Sequence, residues 1–152
     1  MTPFLEAFLS ELEGQHAAIE RALLDLPPEA LDWVPAPGAN SLGVLAVHVA
    51  GSERHWIGEI AGQEPAQRDR AAEFRSRGLD NATLRQRLAD TLAHSRSVIA
   101  RLTDADLALV RATHHNQETH TVAWALLHSL AHTAEHKGHM ELTRQLWEHQ
   151  QR

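Results

Sequence analysis

Apolar residues recur at steps of three and four positions in four stretches of the chain, which is the spacing of amphipathic helices. The predicted helices cover residues 4–26, 42–62 and 82–102, and a last helix begins near Thr119 or Thr121 and ends at about Glu148. Their apolar faces predict a core made of Leu5, Leu9, Leu12, Ile19, Leu23, Leu26, Leu42, Leu45, Val49, Trp56, Ile60, Leu84, Leu88, Leu92, Ile99 and Leu102. Four helices over one core predict an all-α fold of the helical-bundle class.

The segments between the predicted helices are long and polar. Residues 27–40 are rich in proline, residues 62–80 are charged, and residues 103–120 are polar, with single turns expected at 28–31 and 104–109. Links between bundle helices are ordinarily about 2–8 residues long, so these connections permit crossovers. No stretch shows sustained strand alternation, and we expect one domain over residues 1–152. The predicted N-caps are Thr2, Ser41 and either Asp80 or Asn81.

The composition excludes several classes of protein. The chain of 152 residues contains no cysteine, so a metal site must use imidazole and carboxylate ligands. A formal net charge of -6 argues against nucleic acid as a partner, and no apolar run approaches the roughly 20 residues of a membrane helix. The first fourteen residues contain three glutamates and no basic residue, which argues against a signal peptide and predicts a cytoplasmic protein.

Histidine is the unusual residue, because the chain has twelve and four of them lie in the stretch HSLAHTAEHKGH at residues 128–139. Helical geometry places these four on one narrow face: His128, His132, His136 and His139. Ala125 precedes this face, and Leu142 and Leu146 follow it. Because its flanks are aliphatic, we expect the histidine stripe to point into the bundle.

Imidazoles packed side by side favour a divalent metal, because a metal takes their neutral lone pairs whereas several imidazolium ions would repel one another. His132 and His136 have the i, i+4 spacing at which two rings converge on one ion. The third ligand must come from another helix, and His48, His55 and His16 are all candidates. Three histidines leave one position open for substrate, which is typical of reactive zinc sites.

Simpler roles are expected for the other notable side chains. The histidines expected in loops or at the chain end are His114, His115, His120 and His149, and His94 is expected on the surface of the third helix. The four tryptophans, which could line a substrate pocket, are expected to pack in the core: Trp33, Trp56, Trp124 and Trp147. Glu53 and Glu59 could orient the ring of His48, but solvated salt bridges are the simpler expectation for both.

Three stretches resemble the DinB/YfiT-like superfamily, in the same order along the chain. They are WVPAPGANS at residues 33–41, NSLGVLAVHVAGSERHWIGEI at residues 40–60 and WALLHSLAHTAEHKGHMEL at residues 124–142. The resemblance implies a four-helix bundle with long crossover connections, the longest between the second and third helices. It also implies that His48, His132 and His136 bind one divalent metal. In the thiol-transferase branch, to which the last stretch looks closest, a glutamate often stands where His132 stands here.

The resemblance further implies a metal-dependent enzyme that transfers a small thiol, such as bacillithiol, mycothiol or glutathione, to an electrophilic small molecule. Such a reaction belongs to detoxification or stress response. Zinc or nickel is the expected metal, and it would lower the pKa of the thiol. A homodimer acting on a small-molecule substrate is the expected assembly.

Two other functions stay open at this stage. Residues 132–136 read H-x-x-E-H, so Glu135 could be the base of a metal-dependent hydrolase. Only sixteen residues follow His136, which leaves no room for the distant glutamate ligand of such peptidases. The last possibility is a non-catalytic metal-binding stress protein, in which the metal stabilises the fold.

Overall fold

The computed structural model describes residues 1–113 and 118–152. Its elements, in chain order, are α1 (Pro3–Leu23), α2 (Pro28–Asp32), α3 (Leu42–Glu53), a π-helix (Arg54–Ala61), α4 (Arg70–Glu73), α5 (Asn81–Arg101), a 3₁₀ turn (Asp106–Ala108), β1 (Val110–Ala112), β2 (Thr119–Thr121) and α6 (Val122–Gln150). The predicted all-α class is confirmed, and the four predicted helices correspond to α1, to α3 with the π-helix, to α5 and to α6. His114 and His115, which were expected in a loop, lie outside the described residues.

Side-chain caps set the starts of three long helices where the sequence predicted them. Ser41 accepts a hydrogen bond from the Val44 N–H, and Asp80 accepts one from the Thr83 N–H. Thr121 caps α6 in the same way. Thr2 occupies the N-cap position of α1 without capping it, because its hydroxyl donates to Asp104 instead, 2.7 Å away.

The four long helices do not pack in chain order. α1 packs against α5 and α6, and α3 also packs against α5 and α6. α1 and α3 therefore lie diagonally across the bundle, and so do α5 and α6, whereas the consecutive helices α3 and α5 are neighbours. The connection at residues 62–80 contains α4, which folds back against α3 and brings polar side chains to its surface.

A buried polar layer separates two apolar clusters in the bundle. One cluster includes Ile19, Leu45 and Leu88, and the other includes Leu12, Ile57 and Val98. Between them, Glu53 lies 2.7 Å from Nε2 of His16 and accepts a 2.6 Å hydrogen bond from the Ser95 hydroxyl. All three side chains are buried. The three helices α1, α3 and α5 are thus joined by directional contacts at mid-height, and the expectation of a solvated Glu53 is wrong.

The second predicted helix continues to residue 61 but changes to π geometry from Arg54. One of its glycines marks a close approach, because a side chain at Gly58 would lie 2.9 Å from the ring of His94. His94 is only 18% exposed, and its Nε2 lies 2.6 Å from Glu64. The predicted surface position of His94 is therefore wrong: its ring fills the space that Gly58 leaves open.

A two-stranded antiparallel sheet joins residues 110–112 and 119–121, in a region predicted as loop. Each strand has only three residues, which are too few for strand alternation to be recognised in the sequence. The sheet positions His120 beside the start of α6. Among the described residues, no helix has the length and apolar character required to cross a membrane.

Candidate metal centre

Three predicted ligands come together from two neighbouring helices. His48 lies in the middle of α3, and His132 and His136 lie on successive turns of α6. Each offers one ring nitrogen, and these nitrogens all lie within 4.8 Å of one another. His48 is buried, while His132 and His136 are half-buried at the edge of the bundle. Among the described residues this is the one group of three or more potential ligands that could hold a metal ion.

The contact between His48 and His132 fits a cation better than it fits two free rings. Their Nε2 atoms lie 3.0 Å apart, so two lone pairs would repel unless a proton or a cation lies between them. Ligand nitrogens at about 2.0–2.1 Å from a tetrahedral zinc ion stand roughly 3.3 Å apart, which is close to this spacing. Three imidazoles are also a donor set that zinc and nickel accept. The residues present therefore fit a divalent metal.

Glu73 orients the buried ligand from the opposite side of the ring. Its carboxylate lies 2.9 Å from Nδ1 of His48, and Arg68 holds the same carboxylate with two hydrogen bonds of 2.7 and 2.9 Å. Burial of Glu73 opposes ionisation, but the hydrogen bonds from His48 and Arg68 outweigh it and keep the pKa of this carboxyl below its ordinary value. An ionised carboxylate only accepts, so Nδ1 of His48 carries the proton and Nε2 keeps its lone pair.

Sequence reasoning missed Glu73 and Arg68, because both lie in the charged segment at residues 62–80 that shows no helical period. One signal was present in the sequence. Gly51 lies inside α3, where glycine costs about 1 kcal/mol relative to alanine. A side chain there would lie 2.0 Å from the Glu73 carboxylate. The glycine therefore leaves open the space that the Glu73 carboxylate occupies beside His48.

Both candidate ligands on α6 are kept neutral. The pKa of His132 falls from 6.5 to about 3, mainly because the ring is buried and also because His136 and His48 lie close to it. Burial, with His48 and His139 close by, likewise lowers the pKa of His136 to about 4. Near neutral pH both rings therefore have lone pairs available for a metal. Nδ1 of His132 is buried and has no hydrogen-bond partner among the described residues.

An apolar cavity of about 290 Å³ adjoins the ligands. Its walls include the ring of His136 together with Pro35, Ala39, Asn40, Leu45, His139, Leu142, Thr143 and Leu146. The proline-rich connection before α3 thus closes one side of it, and α6 closes the other. The cavity offers space for a small apolar molecule in contact with one of the three imidazoles.

The expectation that the whole histidine stripe points into the bundle is wrong. Ala125 is buried, but Leu142 is 54% exposed and Leu146 is 42% exposed. The buried face of α6 instead carries the apolar side chains of Val122, Leu126 and Met140 together with the polar side chains of Ser129, Thr133 and Thr143. His132 and His136 lie at the boundary between the two faces, and His139 is exposed with its Nδ1 3.3 Å from that of His136.

Neither of the other candidate third ligands reaches the centre. His16 is engaged by Glu53 in the buried layer. His55 lies 3.0 Å from Glu59, which is itself buried, so the expectation of a solvated Glu59 is also wrong. The change to π geometry at Arg54 breaks the α-helical spacing that would have placed His55 on the face of His48.

A cluster of rings extends the histidine row beyond the centre. Trp124 is stacked between His120 and His128, with ring centroids 4.0 and 4.7 Å away, and Trp56 packs edge-on against all three. Burial, with His120 and His55 nearby, lowers the pKa of His128. Trp124 is 42% exposed, so the expected core position is wrong for this tryptophan. His120 is in β2 and not in a loop, whereas His149 is exposed in the last turn of α6.

Comparison with known proteins supports the resemblance seen in the sequence. Residues 5–148 match a family model described as mycothiol-S-transferase. YfiT from Bacillus subtilis, described as a probable metal-dependent hydrolase with an unusual four-helix bundle topology, aligns with a TM-score of 0.76 and 17% identity over 94% of this chain and 87% of its own. A DinB-like protein from Bacillus cereus aligns with a TM-score of 0.69 and 18% identity over 91% and 89%.

A conserved protein from Enterococcus faecalis also shares the fold, with a TM-score of 0.74 and 19% identity over 96% of this chain and 98% of its own. No curated protein sequence matches the chain significantly. At these identities the solved structures show a common fold. The predicted four-helix bundle of the DinB/YfiT-like type is therefore confirmed.

Proposed function

This chain belongs to the mycothiol-S-transferase family, and from that premise we propose that it is a metal-dependent enzyme which transfers a low-molecular-weight thiol to an electrophilic small molecule. The observation that carries the proposal is the convergence of His48, His132 and His136, with one ligand oriented by Glu73. A thiol that arrives with the cosubstrate is consistent with a chain that contains no cysteine.

The residues around the centre have separate tasks in this reaction. Glu73 and Arg68 hold the proton of His48 on Nδ1 and leave Nε2 free as a ligand. Burial keeps His132 and His136 neutral, so that three ring nitrogens within 4.8 Å of one another have lone pairs to donate. A divalent metal held there would supply Lewis acidity that lowers the pKa of a thiol at the open position.

The apolar cavity beside His136 is the proposed binding place for the electrophile. Leu45, Leu142 and Leu146 form walls that can hold an apolar carbon skeleton and keep water away from the reacting atoms. Asn40 adds one amide that can hydrogen-bond a polar group of the substrate. In the transfer, a carbon–sulfur bond forms, the leaving group departs with its electron pair, and the thiol proton is released.

The hydrolase alternative finds less support in the geometry. Glu135, its proposed base, is exposed on the outer side of α6, whereas the ligands face α3. The description of YfiT as a probable metal-dependent hydrolase concerns a protein that shares 17% identity with this chain. We therefore place thiol transfer first. The homodimer, the cytoplasmic location and the choice of zinc or nickel stay predictions.

Conjugation of monochlorobimane is a direct test of the proposal. Untagged protein loaded with zinc or nickel is assayed with mycothiol, bacillithiol and glutathione in parallel. We expect metal-dependent formation of the thioether and chloride with at least one of these thiols. His136→Ala should lower both the bound metal and the rate about 100-fold or more.

His149→Ala is the matched control, because His149 is an exposed histidine of α6 that is neither one of the three ligands nor part of the cavity beside His136. It should retain the metal and most of the rate. A fully metal-loaded protein that conjugates none of the three thiols would contradict thiol transfer. Turnover of a simple ester by the same preparation would then favour the hydrolase.

A further inference from the structure

A second cavity, of about 450 Å³, lies between α3, the connection at residues 66–76 and α5. Three arginines from three parts of the chain line it: Arg54 from the start of the π-helix, Arg68 from the connection and Arg87 from α5. The remaining lining includes Val47, Ala50, Ala66 and Ala72, which give it apolar walls. It combines guanidinium groups with space for a small molecule.

Two of these arginines have no partner in the part of the chain that the structure describes. Arg68 is already paired with Glu73. Neither Arg54 nor Arg87 makes a side-chain hydrogen bond or ion pair with a residue at 1–113 or 118–152. This contrasts with Arg85, Arg96 and Arg101, the other arginines of α5, each of which contacts a glutamate.

The acidic side chains that line the cavity do not pair with Arg54 or Arg87. Glu73 is neutralised by Arg68 and hydrogen-bonded to His48. Asp69 uses one carboxylate oxygen to cap α4 through the Ala72 N–H, 2.9 Å away, and makes no ion pair among the described residues. Three arginines and two carboxylates therefore line this cavity, and Asp90, which lines an adjoining cavity with Arg54 and Arg87, accepts a hydrogen bond from Gln86 and pairs with neither arginine.

We propose that this cavity binds a small organic dicarboxylate, with Arg54 and Arg87 as the recognising groups. A guanidinium group presents paired N–H donors that match the two oxygens of a carboxylate. Two such groups on one cavity match a ligand with two carboxylates, and the alanine and valine side chains accommodate its carbon chain. The concave shape and the volume select a small molecule over a protein surface.

The dicarboxylate site is distinct from the three-histidine centre, although the two are adjacent. Glu73 lines the cavity and also contacts His48, whereas none of the three histidine ligands lines the cavity. The proposal therefore does not depend on thiol transfer. Anion binding should persist in protein that cannot hold a metal, and thiol transfer can proceed without the dicarboxylate.

Calorimetric titration with succinate at low ionic strength tests the proposal. We expect saturable binding of succinate by the wild type, no binding of the uncharged succinamide, and weaker succinate binding as salt is added. The double variant Arg54→Gln/Arg87→Gln should weaken succinate binding at least tenfold. Arg85→Gln removes the same charge from the same helix outside this cavity and should change the affinity by less than twofold.

His136→Ala separates this cavity from the metal centre, because succinate could also coordinate a metal. Its affinity for succinate should equal that of the wild type. Loss of binding in His136→Ala, undiminished binding in the double arginine variant, or no saturable binding by the wild type would each overturn the proposal. Circular dichroism verifies folding, and the single variants Arg54→Gln and Arg87→Gln replace the double variant if it unfolds.

Discussion

Glu73 accepts hydrogen bonds from both His48 and Arg68, and so determines which nitrogen of His48 carries the proton. Carboxylate partners of this kind orient ligand rings and raise their basicity. We expect Glu73→Ala to weaken metal binding about 10–100-fold, measured by competition with a chromophoric chelator. Glu64→Ala removes a carboxylate from His94, away from the three ligands, and should leave the affinity unchanged. Equal affinities of Glu73→Ala and wild type would contradict this role.

The low pKa values of His132 and His136 predict how pH changes the stability of the metal-free protein. Each titrates near 6.5 when unfolded but at about 3 and about 4 when folded. Between these values the unfolded chain binds more protons, so the free energy of unfolding decreases as pH falls from about 6.5 towards 4. Urea melts of chelator-treated protein at pH 7, 5.5 and 4.5 measure this decrease.

His132→Gln/His136→Gln should reduce the loss of stability on acidification, because this variant lacks the two imidazoles that bind protons on unfolding. His149→Gln, at an exposed position in the last turn of α6, is the control and should show the wild-type dependence. An unchanged pH dependence in the double variant would show that other groups cause the acid sensitivity.

Individual site residues differ in how far the sequence reveals them. The i, i+4 spacing of His132 and His136 points to a shared ion. His48 could not be separated from His55 and His16 by spacing alone, and only the resemblance to a known superfamily selected it. Glu73 and Arg68 lack any periodic pattern, since their position depends on how α4 folds back on α3.

Gly51 of α3 leaves space for the carboxylate of Glu73, which belongs to α4. Gly51→Ala adds helix propensity worth about 1 kcal/mol but places a methyl group 2.0 Å from the Glu73 carboxylate. We expect this variant to lower both the free energy of unfolding and the metal affinity. Gly138→Ala on α6 adds the same propensity, and its methyl group meets nothing within 4 Å.

Urea unfolding and metal competition measure both glycine variants. Gly138→Ala should be more stable than the wild type by about 0.5–1 kcal/mol, with unchanged metal affinity. If Gly51→Ala were stabilised to the same extent, α4 would not be held against α3 as the structure shows.

Helix starts were predicted best where a capping residue precedes a long apolar period, as at Ser41 and Asp80. The π-helix was not predicted, because its residues keep an apolar period close to that of an α-helix. The short strands β1 and β2 are stabilised by pairing with each other and by the start of α6, which no local pattern encodes.

Across the whole molecule, the buried contacts of Glu53 join three helices. Glu53→Ala leaves His16 and Ser95 without their partner, and we expect a loss of about 3 kcal/mol in the free energy of unfolding. Glu13→Ala removes an exposed ion pair with Arg96 and should cost less than about 1 kcal/mol. Urea unfolding compares the two variants. If the two variants lost similar amounts of unfolding free energy, the buried contacts of Glu53 would contribute no more than a surface ion pair.

The fold class followed from four amphipathic periods, but the arrangement of the helices did not. Apolar faces on α1, α3, α5 and α6 would suit several packing orders, and the long connections exclude none of them. The sequence also did not show which face of α6 is buried. Leu142 and Leu146, which continue the histidine stripe, were expected inside but are exposed.

The diagonal placement of α1 relative to α3, and of α5 relative to α6, also has a kinetic consequence. α1 and α3 share no extensive interface, and each packs on α5 and α6, which are synthesised later. Neither α1 with α3 nor α5 with α6 can therefore form a helical hairpin first and then dock. The bundle has to close through pairings between distant parts of the chain, which raises its contact order and slows its folding relative to an up-down bundle of equal length. On the ribosome, α3 emerges before either of the long helices that bury it exists.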